Sequence, residues 1–79
     1  MEVKEELKKI VCDVLNDEVE IADNINLMYD LNMDSIQIVN VVAMLEERFD
    51  IEFELEDLNI DNLVSFSKLA ETVERLIEE

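Results

Sequence analysis

The residue best placed to do chemistry in this sequence is Ser35, which follows Asp34 at the start of a predicted helix. Asp34 is a favourable N-cap, and Gln37, three residues later, has the spacing of a capping box. The Ser35 hydroxyl therefore meets the free N–H groups and the positive end of the helix dipole, where an attached phosphate is electrostatically tolerated. The alternative is that Asp-Ser only caps the helix, because both residue types are ordinary at helix starts.

Other nucleophiles and soft metal ligands are scarce. The chain has no His and a single Cys, Cys12. Without His, neither a Ser-His nor a Cys-His catalytic pair can be assembled, and a zinc site of the usual Cys/His kind is excluded. One Cys forms no internal disulfide, and a thiol beside an apolar stripe is expected to be inert. The cysteine count therefore favours a reducing, cytoplasmic location.

Charge removes further function classes. The 79 residues include 22 Asp and Glu against 6 Lys and Arg, a net charge of −16. Nucleic acids and anionic membranes attract basic patches, so neither is expected as a partner. No apolar run approaches the ~18 residues that span a bilayer, and the N-terminus lacks a signal-peptide core. The acids around Asp23 and Asp30 lack EF-hand spacing and the loop glycine, which argues against a calcium buffer, and no metal site is predicted.

Apolar periodicity predicts three main helices in a single domain over residues 1–79. The apolar fraction is 49%, which excludes a disordered acidic chain. We expect helices over about Glu2–Leu15, from the Asp34 cap to Phe49, and over Phe66–Ile77 after a Ser65 cap. The first helix has a mixed polar face that includes Glu6. The apolar face predicted for the last helix comprises Phe66, Leu69, Ala70, Val73, Leu76 and Ile77.

The segments between these helices are predicted to be mostly irregular. Residues 16–33 lose the helical period and form a long loop with isolated aliphatic anchors. Those anchors are Ile21, Ile25, Leu27 and Leu31. After Asp50 the chain alternates like a strand but has no partner strand, so we expect an extended connection and a short helical turn at about Glu56–Ile60. The predicted fold is all-α: a small antiparallel bundle of three main helices and one short one.

The second helix is unusually apolar. Its apolar residues leave almost no polar face before Glu46. They are Ile36, Ile38, Val39, Val41, Val42, Ala43, Met44 and Leu45. Because a domain of this size cannot enclose a helix fully, part of that surface is expected to stay exposed and to meet partners.

The motif around Ser35 resembles the acyl and peptidyl carrier proteins, which bear 4′-phosphopantetheine. The resemblance rests on Asp30-Leu31-Asn32-Met33-Asp34-Ser35-Ile36, Leu45-Glu46-Glu47 and Phe49-Asp50-Ile51, together with length, acidity and the helix–long loop–helix order. It implies that a phosphopantetheinyl transferase attaches the arm from coenzyme A to Ser35. Asp34 would cap the helix and help to place the transferase's metal. The chain would be a monomeric carrier and not an enzyme.

The resemblance also implies a docking surface for acyl- or aminoacyl-loading and elongating enzymes with basic patches. Its expected members are Ile36, Val39, Ala43, Met44, Glu46 and Glu47. The alternative for the four apolar residues is ordinary core, and for Glu46 and Glu47 a solvated helix end.

Three positions depart from the family pattern. Asn32 stands where glycine is usual, and asparagine tolerates the left-handed backbone better than most residues. Asn40 and Glu54 replace a frequent glutamate and a frequent proline. Asp-Ser-Ile, together with Asp57-Leu58 and the pattern Asp61-Asn62-Leu63-x-Ser65, resembles stand-alone carriers of polyketide, nonribosomal-peptide and aminoacyl-transfer systems more than fatty-acid carriers. The rival hypothesis is an unmodified acidic helical adaptor or inhibitor, which explains the charge but not the Asp-Ser-Ile context.

Overall fold

The computed structural model describes residues 2–79 and shows a bundle built around three long helices. The long helices are α1 (Val3–Leu15), α3 (Ser35–Phe49) and α5 (Phe66–Glu78). Two short helices, α2 (Leu27–Leu31) and α4 (Ile60–Val64), and a 3₁₀ turn (Leu55–Asp57) lie in the connections. Within residues 2–79 no β-strand is present, so the all-α prediction is confirmed. None of the described helices is long and apolar enough to cross a bilayer.

The core lies where α1, α3 and α5 meet. The apolar side of α1 is buried, since Leu7 and Val11 are fully enclosed where α1 packs on both other long helices. Phe66, at the start of α5, is the largest fully buried side chain. Burying such side chains removes apolar surface from water, the main favourable contribution to folding. The predicted apolar face of α5 is buried or packed against the core except for Ile77, which is exposed in the last turn.

The connections contain more helix than the sequence predicts. The long loop is not structureless, because Asn26 caps α2 with its side-chain oxygen, and Leu27 and Leu31 place one face of this helix against the core. The short helical turn predicted at Glu56–Ile60 is replaced by two separate elements, the 3₁₀ turn and α4. Asn59 divides them, because its side chain accepts a hydrogen bond from the Asn62 N–H and begins a new helix.

The long loop is fastened to the start of α5. The Phe66 N–H donates to the Ile25 carbonyl at 3.2 Å, and Asn26 and Ser65 form an isolated antiparallel bridge. The predicted anchors Ile21 and Leu27 are buried, and Ile25 and Leu31 pack partly against the core. The loop prediction is therefore confirmed for its anchors and wrong for its lack of regular structure.

Three helices end at residues in the left-handed region. Asn16, Asn32 and Asp50 have φ values of 55°, 57° and 55° and follow α1, α2 and α3. This position usually belongs to glycine, which the chain lacks. Asn is the next most tolerant residue type, so the prediction that Asn32 can replace glycine in this turn is confirmed.

Candidate functional site

Ser35 is the first residue of α3, and its side chain is exposed. The predicted capping box is confirmed: the Gln37 N–H donates to Asp34 Oδ1 at 2.8 Å, and the Asp34 N–H donates to Gln37 Oε1 at 3.0 Å. These reciprocal bonds fix the backbone on both sides of Ser35. The hydroxyl is therefore presented to solvent from a rigid helix start, beside N–H groups and a dipole that favour an anion.

The segment ahead of Ser35 is also held in place. Asn26 Oδ1 accepts hydrogen bonds from the N–H groups of Met28 and Tyr29, both at 2.9 Å. After the left-handed residue Asn32, the Met33 N–H donates to the Leu27 carbonyl at 3.2 Å. Met33 itself is buried. The site thus follows a packed turn and not a free loop.

The surroundings of Ser35 are strongly acidic. Residues 10–47 contain nine Asp and Glu and no Lys or Arg. The lysines of α1 are engaged elsewhere, since Lys4 and Lys8 both pair with Asp23, at 3.4 and 3.5 Å. The hydrogen bond from Lys4 holds the pKa of Asp23 below its ordinary value of 3.8, against a smaller opposing effect of desolvation. The negative potential around the site is therefore not cancelled by these cations.

Arg48, at the end of α3, is also occupied. Its guanidinium donates to Glu6, which is buried although the sequence placed it on the polar face of α1. Desolvation of Glu6 would raise its pKa, but hydrogen bonds from Lys9 and Arg48 outweigh it and lower the pKa below 4.5. A buried carboxylate is retained only when it is paired in this way. Arg48 therefore ties α3 to α1 and leaves the acidic surface unbalanced.

Two of the predicted docking residues stand out from the surface of α3. Ile36 is 72% exposed and Val39 is 61% exposed, whereas Ile38 and Val41 between and beyond them are buried. The expectation that the apolar helix keeps an open face is confirmed. Ile36 and Val39 lie three residues apart on one face of α3, and contiguous exposed apolar side chains of this kind mark interaction surfaces.

The other predicted docking residues differ in their environments. Ala43 and Glu47 are exposed, whereas Met44 packs partly against the core. Met44 and Glu47 line a recess of about 310 Å³ with Ile10 and Arg48. Glu46 is half-buried, and its Oε2 accepts a hydrogen bond from the Phe53 N–H at 2.8 Å. One Glu46 oxygen thus secures the chain after α3, and docking by these residues stays a prediction.

Among residues 2–79, no three acidic or cysteine side chains are arranged to hold a metal ion. Asp34 uses Oδ1 for the cap, and its Oδ2 has no hydrogen-bond partner within the described chain. Cys12 is half-buried, with its Sγ directed at the Val19 carbonyl at 3.6 Å. At the start of α3 the structure thus offers an exposed hydroxyl with a carboxylate on the preceding residue.

The sequence analysis did not predict the exposure of Tyr29, which is 90% exposed on α2. It lies in the stretch without helical period, so nothing marked it as a surface anchor. The signal that could have found it is local: Asn26 is a good N-cap, and Leu27 and Leu31 have i, i+4 spacing. Together these features indicate a short helix with Tyr29 on its outer side.

A small helical bundle with an exposed serine at the start of its second long helix is the architecture of a phosphopantetheine-bearing carrier domain. Comparison of the sequence with known proteins gives the same family. The family model described as "Phosphopantetheine attachment site" matches residues 5–75. An acyl carrier protein of Buchnera aphidicola subsp. Schizaphis graminum is 41% identical over 66 residues, which cover 82% of this chain and 84% of the relative. One from Brachyspira hyodysenteriae is 34% identical over 74 residues, covering 90% and 95%. One from Campylobacter lari is 31% identical over 77 residues, covering 96% and 97%.

The chain belongs to the acyl carrier protein family. The predicted cofactor, 4′-phosphopantetheine, is the group that this family carries, and an exposed serine hydroxyl at a helix N-terminus suits a covalent phosphate. The protein is a carrier and not an enzyme, and it interacts with a phosphopantetheinyl transferase and acyl-handling enzymes. The rival adaptor or inhibitor hypothesis is not favoured by these findings.

Proposed function

We propose that Ser35 is the residue that carries 4′-phosphopantetheine. The observation that carries this proposal is the exposed hydroxyl on the capped first turn of α3. The other two serines are less suited, because Ser65 caps α5 and its Oγ lies 3.3 Å from that of Ser67. Both are half-buried. Of the three serines in the chain, Ser35 therefore has the most accessible nucleophile.

In the proposed modification, the Ser35 hydroxyl displaces a leaving group from coenzyme A. A bond forms between Ser35 Oγ and the phosphorus next to pantetheine, the pyrophosphate P–O bond breaks, and adenosine 3′,5′-bisphosphate leaves. The hydroxyl proton passes to a base of the transferase. The free Oδ2 of Asp34 is available to that enzyme's metal, and the first turn of α3 stabilises the phosphate that results. When attached, the group supplies a terminal thiol that holds cargo as a thioester.

Partner enzymes are proposed to dock on the surface formed by Ile36, Val39, Ala43, Met44, Glu46 and Glu47. The exposed Ile36 and Val39 supply apolar contact, and Glu47 supplies charge for a basic patch. Opposite charges raise association rates and need not make a complex long-lived. A carrier that visits successive enzymes needs this combination.

For the cargo, we propose a range of pathways and no single compound. The chain would act in fatty-acid, polyketide, nonribosomal-peptide or aminoacyl-transfer synthesis, and Asp-Ser-Ile with Asp57-Leu58 and Asp61-Asn62-Leu63-x-Ser65 favours the specialised pathways. A charge of −16 opposes self-association, which supports a monomer. The cytoplasmic location stays a prediction from the cysteine count.

Intact mass spectrometry tests the attachment site. The chain is incubated with coenzyme A and a promiscuous phosphopantetheinyl transferase, and the wild type should gain the mass of one phosphopantetheine. Ser35→Ala should gain nothing, and the control Ser67→Ala should be modified like the wild type. Circular dichroism should show that Ser35→Ala is folded, since Ser35 is exposed. An unmodified wild type, or a modified Ser35→Ala, would contradict the proposal.

A further inference from the structure

Tyr29 is a large side chain that the fold leaves uncovered beside the proposed attachment site. It is the only tyrosine of the chain. It lies on α2, whose opposite side is buried through Leu27 and packed through Leu31. The backbone beneath it is ordered, because the Tyr29 N–H donates to the side chain of Asn26. An aromatic ring held outward on an ordered turn loses little conformational freedom when a partner covers it.

The hydrogen bonds place Tyr29 close enough to Ser35 to share one interface with it. The Met33 N–H meets the Leu27 carbonyl at 3.2 Å, so the chain folds back before the site. Tyr29 lies two helical residues beyond Leu27, and Ser35 lies two residues beyond Met33. Because a hydrogen bond joins Leu27 to Met33, these short segments limit the distance between the Cα atoms of Tyr29 and Ser35 to at most about 19 Å. A standard interface covers about 800 Å² of each partner, a patch roughly 30 Å across. The separation of Tyr29 and Ser35 is therefore smaller than the width of such a patch, so one partner can cover both residues.

Charge identifies what would cover Tyr29. A second copy of this chain is opposed by its net charge of −16. The neighbouring Asp30 and Asp34 are exposed, and no Lys or Arg occurs in residues 10–47. A partner with Arg at its surface satisfies both features, because the guanidinium pairs with carboxylates and stacks on aromatic faces. Tyrosine is also among the residues enriched at the energetic centres of interfaces.

We infer that Tyr29 extends the docking surface onto α2 and anchors the enzyme that modifies Ser35, through contact between its ring and a basic, arginine-bearing surface. This inference rests on the proposed function. It adds a contact outside α3 and assigns it to the aromatic ring.

Steady-state kinetics of phosphopantetheinylation test the inference. The substrates are wild type, Tyr29→Ala, Tyr29→Phe and Leu55→Ala, with the transferase and coenzyme A at fixed concentrations. Leu55 is a matched control because it is 91% exposed. It follows Phe53, which is bonded to Glu46, a residue about 16 Å along α3 from Ser35.

We expect kcat/KM to fall about tenfold for Tyr29→Ala, through KM and not kcat, the size typical of an interface anchor. Tyr29→Phe should keep most of the wild-type value, and Leu55→Ala should match the wild type. All variants should melt with the wild type, because both positions are exposed. Unchanged kinetics for Tyr29→Ala, an equal loss for Leu55→Ala, or a Tyr29→Phe variant as poor as Tyr29→Ala would overturn the inference. A wild type that is not modified at all would instead contradict the proposed function.

Discussion

Two isoleucines on α3, two residues apart, allow recognition to be separated from folding. Ile36 is 72% exposed and Ile38 is 1% exposed. The perturbation is the same in both variants, Ile36→Ala and Ile38→Ala. We expect Ile36→Ala to impair reactions with partner enzymes and leave the fold intact, and Ile38→Ala to destabilise the fold.

The magnitudes follow from burial. A buried Ile→Ala substitution costs about 2–5 kcal/mol, because apolar contacts are lost and a cavity remains. Substitutions on exposed surface usually change stability by no more than about 0.5 kcal/mol, and alanine's higher helix propensity offsets part of the loss at Ile36. A chain of 79 residues has a total stability of roughly 4–12 kcal/mol. Ile38→Ala thus removes a large share of it, and Ile36→Ala almost none.

The assay pairs stability with modification rate. In a domain of this size 1 kcal/mol moves the melting temperature by about 4–8 °C, so Ile38→Ala should melt at least 8 °C below the wild type. Ile36→Ala should melt within about 4 °C of it. The kcat/KM of phosphopantetheinylation should fall about tenfold for Ile36→Ala, since an exposed apolar side chain at an interface contributes on the order of 1.4 kcal/mol.

The reasoning is refuted by either of two results. If the melting temperature of Ile36→Ala falls with that of Ile38→Ala, Ile36 belongs to the core and not to the surface. If Ile36→Ala is folded and modified as fast as the wild type, the exposed face of α3 does not contact the transferase.

Four further predictions concern stability and are read from melting curves. Leu31→Asp should lower the free energy of unfolding by about 1–3 kcal/mol, because it puts an unpaired charge against the core. The control Tyr29→Asp, on the exposed side of α2, should melt with the wild type. Asp50→Gly should raise the free energy of unfolding by up to about 1 kcal/mol, since glycine adopts a φ of 55° without strain. A similar gain from Asp50→Ala would attribute the effect to the lost charge and not to the backbone. Raising NaCl from 10 to 150 mM should raise the melting temperature, because the Debye length falls from about 30 Å to about 8 Å in a domain 31 Å long; a flat response would show that the acids are individually compensated. The melting temperature should also rise as the pH falls from 7 toward about 5. Repulsion from Glu79 and Glu56 raises the pKa of Glu54 above 4.5, so the folded chain binds more protons than the unfolded chain in this range. Below about pH 4 the effect should reverse as Asp23, whose pKa is lowered by the hydrogen bond from Lys4, loses its charge.

The start of α3 shows how much of the site could be predicted without coordinates. Asp34, Ser35 and Gln37 lie within four residues, and the two hydrogen bonds between Asp34 and Gln37 involve only neighbouring backbone and side chains. Such local geometry is encoded by residue type and spacing. The left-handed Asn32 could be predicted for the same reason, since a single residue's backbone preference decides it.

The connections were predicted less well. Both α2 and α4 contain five residues, too few for a periodic apolar pattern to be visible. Short helices are also marginal by themselves, so their stability depends on packing and caps. The contact that fastens the long loop, from Phe66 to Ile25, joins residues far apart in the chain, and no local pattern indicates it.

For this protein, the sequence by itself determined the helical class, the limits of the three long helices, the capped Ser35 and the acidic character, because these depend on composition, period and neighbouring residues. Only the tertiary structure decided that α3 buries Ile38 and exposes Ile36. It also decided that Glu6 is buried against Arg48. Each of these outcomes depends on which helix lies opposite, and that is set by packing between distant parts of the chain.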